Sequence, residues 1–362
     1  MKKYILLLAM FSTLSCFSQY CYVADPTNVN LKSGTINYVP GSPIKYVRVI
    51  LHFIQRNDGT GNFNETNDGM TPAHNYSGYD YASYILDYAN SLLGTNQPMR
   101  LQPFGNVPVY DPGYRYQLSG VFFWKNSTLY SDFNALSNLM SSYGQSTNNA
   151  INIFITSPQG LTAGGYARYI GDNAVLLFRP YANYIESVNN NNGWYNRASG
   201  IIINHEVGHC LNLYHTLMTN GGVCSDSWND FCNDTPSRPQ MYSLGQPDPC
   251  CWNDVFCSNN LMDYNADMQS MTPDQLNIVH SALSSGKLNF IECNYQTNSL
   301  NISTFGNNSG SYIARDISVA GTSAIISNGK TVYLKGNVIT LNSGFEVQLG
   351  GKLNISTNPA CN

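Results

Sequence analysis

Residues 205–215 read His205-Glu206-Val207-Gly208-His209-Cys210-Leu211-Asn212-Leu213-Tyr214-His215, or HEVGHCLNLYH. Histidines four apart on an α-helix project from one face a single turn apart, so His205 and His209 can both reach one ion. His215 supplies a third imidazole if the chain turns back after the helix. Zinc prefers imidazole nitrogen in a tetrahedral shell, and a catalytic site keeps three protein ligands with the fourth position open. Glu206 adjoins the first histidine. It is placed to take a proton from water attacking a carbonyl at the metal and to pass it to the leaving amine. A structural zinc would instead close its shell with four protein ligands, often cysteines, and a buried helix with incidental histidines is the plainer competitor. Asn212 sits where the helix must end. Asparagine is the residue after glycine that best tolerates positive φ, so Asn212 is expected there, with His215 outside the helix.

Upstream of this helix, the run IKYVRVILHFIQ from Ile44 alternates β-branched and polar residues and reads as a strand, ended by NDGTGN. YDYASYILDYANSLLG carries Tyr81, Tyr84, Ile85, Tyr88 and Leu92 at helical spacing. Extended runs RYQLSGVFFW and INIFITS follow, with a helix around SDFNALSNLMSSYG between them, and then a glycine-rich strand region, GGYARYIGDNAVLLF. Strand, helix and strand in this order predict an α/β (α+β) domain with a mixed sheet and the histidine helix packed on it.

Beyond His215 the chain turns loop-like, with Cys, Gly, Pro, Asn and Asp dominating residues 219–260. A final helix is predicted from Thr272, where threonine caps, Pro273 takes the first helical position and Gln275 completes a capping box; it should run to about Leu283. The tail aligns on itself at a spacing of 15, matching Ile317, Val319 and Gly321 with Val332, Leu334 and Gly336, and these with Val347, Leu349 and Gly351. Short strands turning at glycines at a fixed period predict a small stacked β unit of three rungs.

The first residues, MKKYILLLAMFSTLSCFSQ, combine two lysines, an apolar run too short to span a bilayer and small residues near Ser18, the pattern of a secretory signal peptide. A secreted, extracellular protein follows. In an oxidising compartment disulfides are the default for the ten cysteines, seven of which lie between Cys210 and Cys293. Nine remain after cleavage, an odd number, so one thiol stays free, with Cys210 and Cys21 as candidates. Charged residues make up only 11% of the chain and the formal net charge is −4, which argues against nucleic acid or an anionic membrane as partner. No further stretch is apolar enough for a membrane span, and a monomer is expected.

HEVGHCLNLYH resembles the long zinc signature of the metzincin metallopeptidases, in which a glycine precedes the third histidine by three residues. The continuation His215-Thr216, the Asp234-Thr235-Pro236 triplet and the FCSNN and LMDYN segments around Met262 narrow the resemblance to the pappalysin (cytophagalysin) family, over about Ile44 to Glu292. The resemblance implies a metzincin-like catalytic domain in which His205, His209 and His215 hold zinc and Glu206 is the general base. It implies Met262 as the apolar floor of a Met-turn and Tyr264 as a residue steadying the tetrahedral intermediate, although a core tyrosine is the alternative there. Asp230, Asp234 and Thr235 offer oxygen ligands for calcium, or form a solvated polar turn. The glycine-rich strand region matches the edge strand that holds polypeptide substrate in extended form. Asp267 falls where some relatives carry an acid selecting basic side chains. The tail resembles β-stack modules appended to secreted bacterial enzymes.

The expected organisation is a signal peptide (1–18), a short N-terminal segment (19–43), a metallopeptidase domain (44–292, divided at 215/216) whose loop-rich second part is disulfide-bonded, and an all-β repeat domain (298–362). Cys21 in the short segment has two readings: a disulfide tying down the mature N-terminus, or a thiolate occupying the open metal position as a latency switch. The function expected is a secreted zinc endopeptidase. The rivals are an inert secreted binding protein acting through its β module, against which Glu206 is retained, and a zinc hydrolase of a non-peptide amide. His52, His74 and His280 are read as structural.

Overall fold

The computed structural model describes residues 38–66, 77–101, 106–157, 164–190, 194–216, 218–220, 223–225, 230–235, 258–263, 268–292, 299–305, 309–314 and 316–356. Its frame begins with β1 (Lys45–Gln55), buried from Val47 onward on both faces. Odd-numbered Val47, Val49, Leu51 and Phe53 join one core, while Ile50 and Ile54 enter two others on the opposite side, as the two-residue period of a strand requires. β1 is flanked in parallel by β2 (Tyr114–Lys125) and β3 (Ile151–Thr156). Beyond β3 lie parallel β5 (Ala174–Phe178) and then antiparallel β4 (Gly165–Ala167), which forms one edge of the sheet. This is the mixed sheet expected of the chain.

Two helices cover the first core. α1 (Gly78–Gly94) starts at a capping box of Ser77 and Asp80 and buries Tyr81, Ala82, Ile85, Leu86, Ala89 and Leu93. Tyr84, expected on that face, is 43% exposed, because the buried stripe centres on the 81/85/89 row and is widened by two alanines. The small residues serve a close helix crossing: a Cβ on Gly200 would lie 2.8 Å from Tyr88 Cδ1 and 3.3 Å from the Ala89 nitrogen. Gly200 belongs to α5 (Trp194–Cys210), the histidine helix. On the other face α3 (Leu136–Tyr143) forms within the helix read around SDFNALSNLMSSYG, starting five residues later, and a short α2 (Ser127–Ser131) precedes it. α4 (Pro180–Asn190) forms where no helix was expected. α6 (Pro273–Ser284) starts at Thr272 with the predicted capping box to Gln275. A short hairpin of β6 (Met218–Asn220) and β7 (Val223–Ser225) follows the active helix.

The tail folds as eight short strands: β8 (Ser299–Thr304), β9 (Gly310–Ile313), β10 (Asp316–Ser323), β11 (Ile325–Ile326), β12 (Thr331–Lys335), β13 (Val338–Leu341), β14 (Glu346–Val347) and β15 (Lys352–Ser356). All of them stack in parallel, β8 on β10 on β13, β9 on β12 on β15, and β11 on β14. The repeat differs from the expected 15. Ile317 pairs with Ile339 and Val332 with Leu353, spacings of 22 and 21 residues, so a register of 15 matches successive faces of one turn rather than successive turns. The stack is also continuous with the main sheet. β9 runs antiparallel against β2 (Phe122 opposite Gly310), and Ile50, Phe122 and Ala150 share one core with Ile302, Ile317, Val332 and Leu334. Gly310 permits this seam, since a Cβ there would lie 2.9 Å from two atoms of the Phe122 ring.

Among the described cysteines, Cys210 and Cys232 both carry free thiols, one more than the odd count required. Cys21, Cys250, Cys251, Cys257, Cys293 and the leader over 1–18 lie outside the described residues, as does His74. His52 is structural: Trp124 Nε1 donates to its Nδ1 at 3.0 Å, which leaves Nε2 to donate to Asn152 Oδ1 at 2.8 Å. Burial pushes this imidazole down to about 3. His280 donates from Nε2 to the Pro112 carbonyl at 2.8 Å.

Candidate metal centre

Helix α5 stops at Cys210 because the backbone closes a left-handed terminus. Asn212 has φ 72°; its N–H bonds to the His209 carbonyl at 3.1 Å, and the Leu213 N–H reaches back to the Gly208 carbonyl at 3.0 Å. These are the paired bonds of a Schellman cap, with asparagine in the position glycine usually takes. The turn sends residues 213–215 back along the helix and returns His215 to the face that carries His205 and His209.

Three imidazoles converge as a result. His205 Nε2 and His209 Nε2 lie 3.1 and 3.0 Å from His215 Nε2, and the three rings are fully buried. The ring orientations are fixed from behind. His205 Nδ1 donates to the Leu261 carbonyl and His209 Nδ1 to the Leu213 carbonyl, both at 2.8 Å. With each Nδ1 protonated, the Nε2 lone pairs of His205 and His209 point inward in the tautomer a metal requires. His215 Nε2 can offer one proton to one neighbour, so hydrogen bonding alone leaves lone pairs facing one another. Burial holds His205 down at about 4 and His209 at about 3, and drives His215 well below the usual imidazole range with help from its two neighbours. A cluster of neutral donors of this kind fits a divalent cation. Tetrahedral zinc with Zn–N near 2.0–2.1 Å spaces such nitrogens by about 3.3 Å, close to the 3.0 and 3.1 Å found. Among the described residues this is the group of three or more His, Cys, Asp or Glu side chains able to hold an ion.

The floor of the site comes from residues 258–263 and 268–272. Met262 is fully buried, and a Cβ on Gly208 would lie 2.6 Å from its sulfur, so the glycine within the histidine helix is what lets the methionine seat against it. Met262 is held through Asn260, whose Oδ1 accepts the Met262 N–H at 2.9 Å and whose amide exchanges two 2.9 Å bonds with Gln275. Gln275 is the capping-box residue of α6, so the local signal that starts this helix also orients the turn presenting the Leu261 carbonyl to His205. The Thr216 N–H closes the circuit on the Met262 carbonyl at 3.1 Å.

Glu206 is 3% exposed and faces the edge strand β4. A Cβ on Gly165 would lie 2.7 Å from Glu206 Cγ and 2.8 Å from its Oε1, so strand and carboxylate are in direct contact. Gly165, Gly208 and Asn260 were not singled out in the sequence. The signal available for Gly208 was a glycine inside a helical pattern, which commonly marks a close packing contact.

The remaining predicted residues behave differently. Tyr264 and Asp267 lie outside the described residues, as does Cys21. Asp230, Asp234 and Thr235 are tied to one another and to neighbouring backbone: Asp230 accepts from the Thr235 hydroxyl at 2.6 Å and the Cys232 N–H at 3.0 Å, and Asp234 accepts the Asp274 N–H at 2.9 Å. These oxygens brace the 230–235 turn and the start of α6. Burial, more than the nearby Asp234, raises the Asp230 carboxyl to about 6.

Comparison with known proteins bears on this geometry directly. Residues 139–284, which contain α5, its terminus and the Met262 turn, match the family model described as pregnancy-associated plasma protein-A. This segment is similar to the pappalysin family. Within it, the chain is 29% identical to human Pappalysin-1 over 174 residues, which cover 42% of this chain and 10% of that protein. It is 40% identical over 87 residues to an extracellular metalloprotease of Arthroderma benhamiae, covering 23% of this chain and 31% of the relative. A second, from Trichophyton verrucosum, is 35% identical over 85 residues, 22% of the chain and 29% of the relative. The chain thus spans at most a third of the length of the curated relatives it matches. The pappalysin-like segment starts within α3 and ends with α6, narrower than the range from Ile44 read from sequence.

Proposed function

We propose that the chain is a secreted zinc endopeptidase that cleaves polypeptides bound in extended form along β4. The observation that carries this reading is the convergence of three Nε2 atoms from His205, His209 and His215, with Glu206 beside them and touching the edge strand. Zinc in such a donor set supplies Lewis acidity, lowering the pKa of water and stabilising negative charge on a carbonyl oxygen. Glu206 then accepts a proton from the attacking water and delivers it to the departing amine. Among the described residues β4 ends the sheet, and a substrate strand pairing with it through main-chain bonds sets the scissile bond in register with the carboxylate. Tyr264 belongs to this reading as a donor to the developing oxyanion.

Secretion is supported by the leader over 1–18 and by the extracellular relatives; among the described residues no helix is long and apolar enough to cross a membrane. The Cys21 thiolate as a latency ligand, calcium at Asp230, Asp234 and Thr235, and a preference for basic side chains through Asp267 stay as parts of the proposal.

The test is digestion of a denatured-protein peptide library by the purified chain, by Glu206→Ala, and by the wild type with a chelator and then with zinc restored. Cleavage that disappears in both controls and returns with zinc is the expected result. Cleavage by Glu206→Ala at the wild-type rate refutes the proposed role of the carboxylate, and an inert wild type that binds zinc favours a binding protein instead.

A further inference from the structure

Lys287 lies past the end of α6 and is 6% exposed, an unusual place for an ammonium group. Its Nζ donates to the Gly171 and Asp172 carbonyls, each at 2.9 Å, and to Asn173 Oδ1, so all three N–H bonds are spent on one short loop. The stem is held in turn, with Nζ 4.7 Å above the Phe290 ring and the Lys287 N–H bonded to the Ala282 carbonyl at 2.9 Å. Arg168 closes the other side of the loop through paired bonds to Asp172 of 2.6 and 2.9 Å.

The loop so fixed is the one that seats the end of the histidine helix. The Gly171 N–H donates to the His209 carbonyl at 2.8 Å, and a Cβ on Gly171 would lie 2.8 Å from Asn212 Oδ1. His209 and Asn212 are two corners of the terminus that returns His215 to the other two imidazoles, and Leu213, its next residue, orients the His209 ring. A continuous path therefore runs from the Lys287 ammonium through Gly171 to the turn between the second and third histidines.

We infer that Lys287 is a positioning residue of the metal centre: it locks the 171–173 loop against the 208–213 turn, so that the three imidazoles converge before an ion arrives. The inference rests on the zinc reading of His205, His209 and His215. A preorganised site binds without a reordering cost, and groups that orient ligands at one remove commonly set metal affinity by about 10–100-fold.

The experiment measures zinc affinity of the full chain by competition with a chromophoric chelator, alongside thermal melting, for four proteins: wild type, Lys287→Met, Lys287→Arg and Leu334→Ala. Leu334 is fully buried in the C-terminal stack, so its truncation lowers stability away from the histidines. The expected result is a loss of about 10–100-fold in zinc affinity for Lys287→Met. Lys287→Arg recovers most of it, because guanidinium N–H groups can still reach the carbonyls, and Leu334→Ala keeps wild-type affinity despite a lower melting temperature. Should Lys287→Met fail to fold, Asn173→Ala removes one acceptor and is expected to weaken zinc a few-fold. Wild-type affinity in Lys287→Met, or in Asn173→Ala where Lys287→Met does not fold, overturns the inference, as does an equal loss in Leu334→Ala. A wild-type chain that takes up no zinc overturns the metal centre itself, whereas zinc-binding wild type with unaffected variants overturns the role of Lys287 alone.

Discussion

Substituting alanine for Gly165 presses one methyl group into the contact between β4 and the histidine helix. The new Cβ would lie 2.7 Å from both Glu206 Cγ and Ile202 Cγ2 and 2.8 Å from Glu206 Oε1. Ordinary contact between such atoms begins near 3.4 Å, so the strand and helix must separate, or Glu206 must move, by about 0.6–0.7 Å. The carboxylate tip can swing aside cheaply, but Cγ and the Ile202 methyl cannot, since both residues sit in a buried helix face packed on the sheet. Overpacking of this kind costs about 1–3 kcal/mol of stability. Its effect on turnover should be larger, because displacing a proton acceptor by close to an ångström costs up to about 100-fold. The expected result for Gly165→Ala is therefore a fall of about 10–100-fold in kcat/KM with zinc stoichiometry unchanged, since the atoms nearest the new Cβ belong to Glu206 and Ile202. Peptide-cleavage kinetics and metal analysis on the same preparation measure both. Wild-type turnover in Gly165→Ala would refute the contact between edge strand and carboxylate as the basis of catalysis, and loss of zinc in parallel with turnover would show that the strand supports the metal centre rather than Glu206.

Further outcomes follow from the same geometry. Asn212→Gly should melt within about 0.5 kcal/mol of wild type, whereas Asn212→Val should lose about 1–2 kcal/mol and zinc affinity with it, because a β-branched residue cannot hold φ 72° without strain; denaturant titration checks the first and chelator competition the second. For His52, burial lowers the folded-state value to about 3 against an ordinary 6.5, so the unfolded chain binds the extra proton in between. Its stabilising contribution is complete above pH 6.5 and is lost, by about 1.4 kcal/mol per pH unit, as the pH falls towards 3. His52→Phe should be less stable than wild type at pH 7, where it forfeits the Asn152 and Trp124 bonds, and show a flatter decline in melting temperature between pH 6 and 4. Deleting residues 299–362 should expose Ile50 and Phe122 and leave β2 as a bare edge, giving a product of much lower melting temperature or none that is soluble; an unchanged melt would show the stack to be independent of the main sheet.

The metal centre was legible because its main parts are local. Histidines four apart meet on any α-helix, an asparagine near a helix end reports its own tolerance of positive φ, and a threonine–glutamine box announces where α6 starts. What lies behind the histidines was not legible. The Leu261 carbonyl that orients His205 is 56 residues away, and nothing in either segment names the other. Gly165 and Gly208 were visible as glycines, but the neighbours that require them, Glu206 and Met262, are chosen by packing across elements. The tail shows the same limit. Its glycines and apolar residues recur in a spacing of 15, yet the hydrogen-bonded partners stand 21 and 22 residues apart, because the chain needs that length to travel around the stack and the faces passed on the way carry similar residues.

The amino-acid sequence by itself determined which three histidines come together, the acid beside the first of them, the helix that carries His205, Glu206 and His209, and the pappalysin likeness of residues 139–284. All of these depend on spacing along one or two turns of backbone. The tertiary structure decided which tautomer His205 and His209 adopt, which strand Glu206 faces, that Lys287 clamps the loop against the turn between the second and third histidines, and that the C-terminal stack extends the main sheet instead of hanging from it. Those outcomes turn on single contacts between residues remote in sequence, selected by the burial and hydrogen-bond satisfaction of the whole molecule.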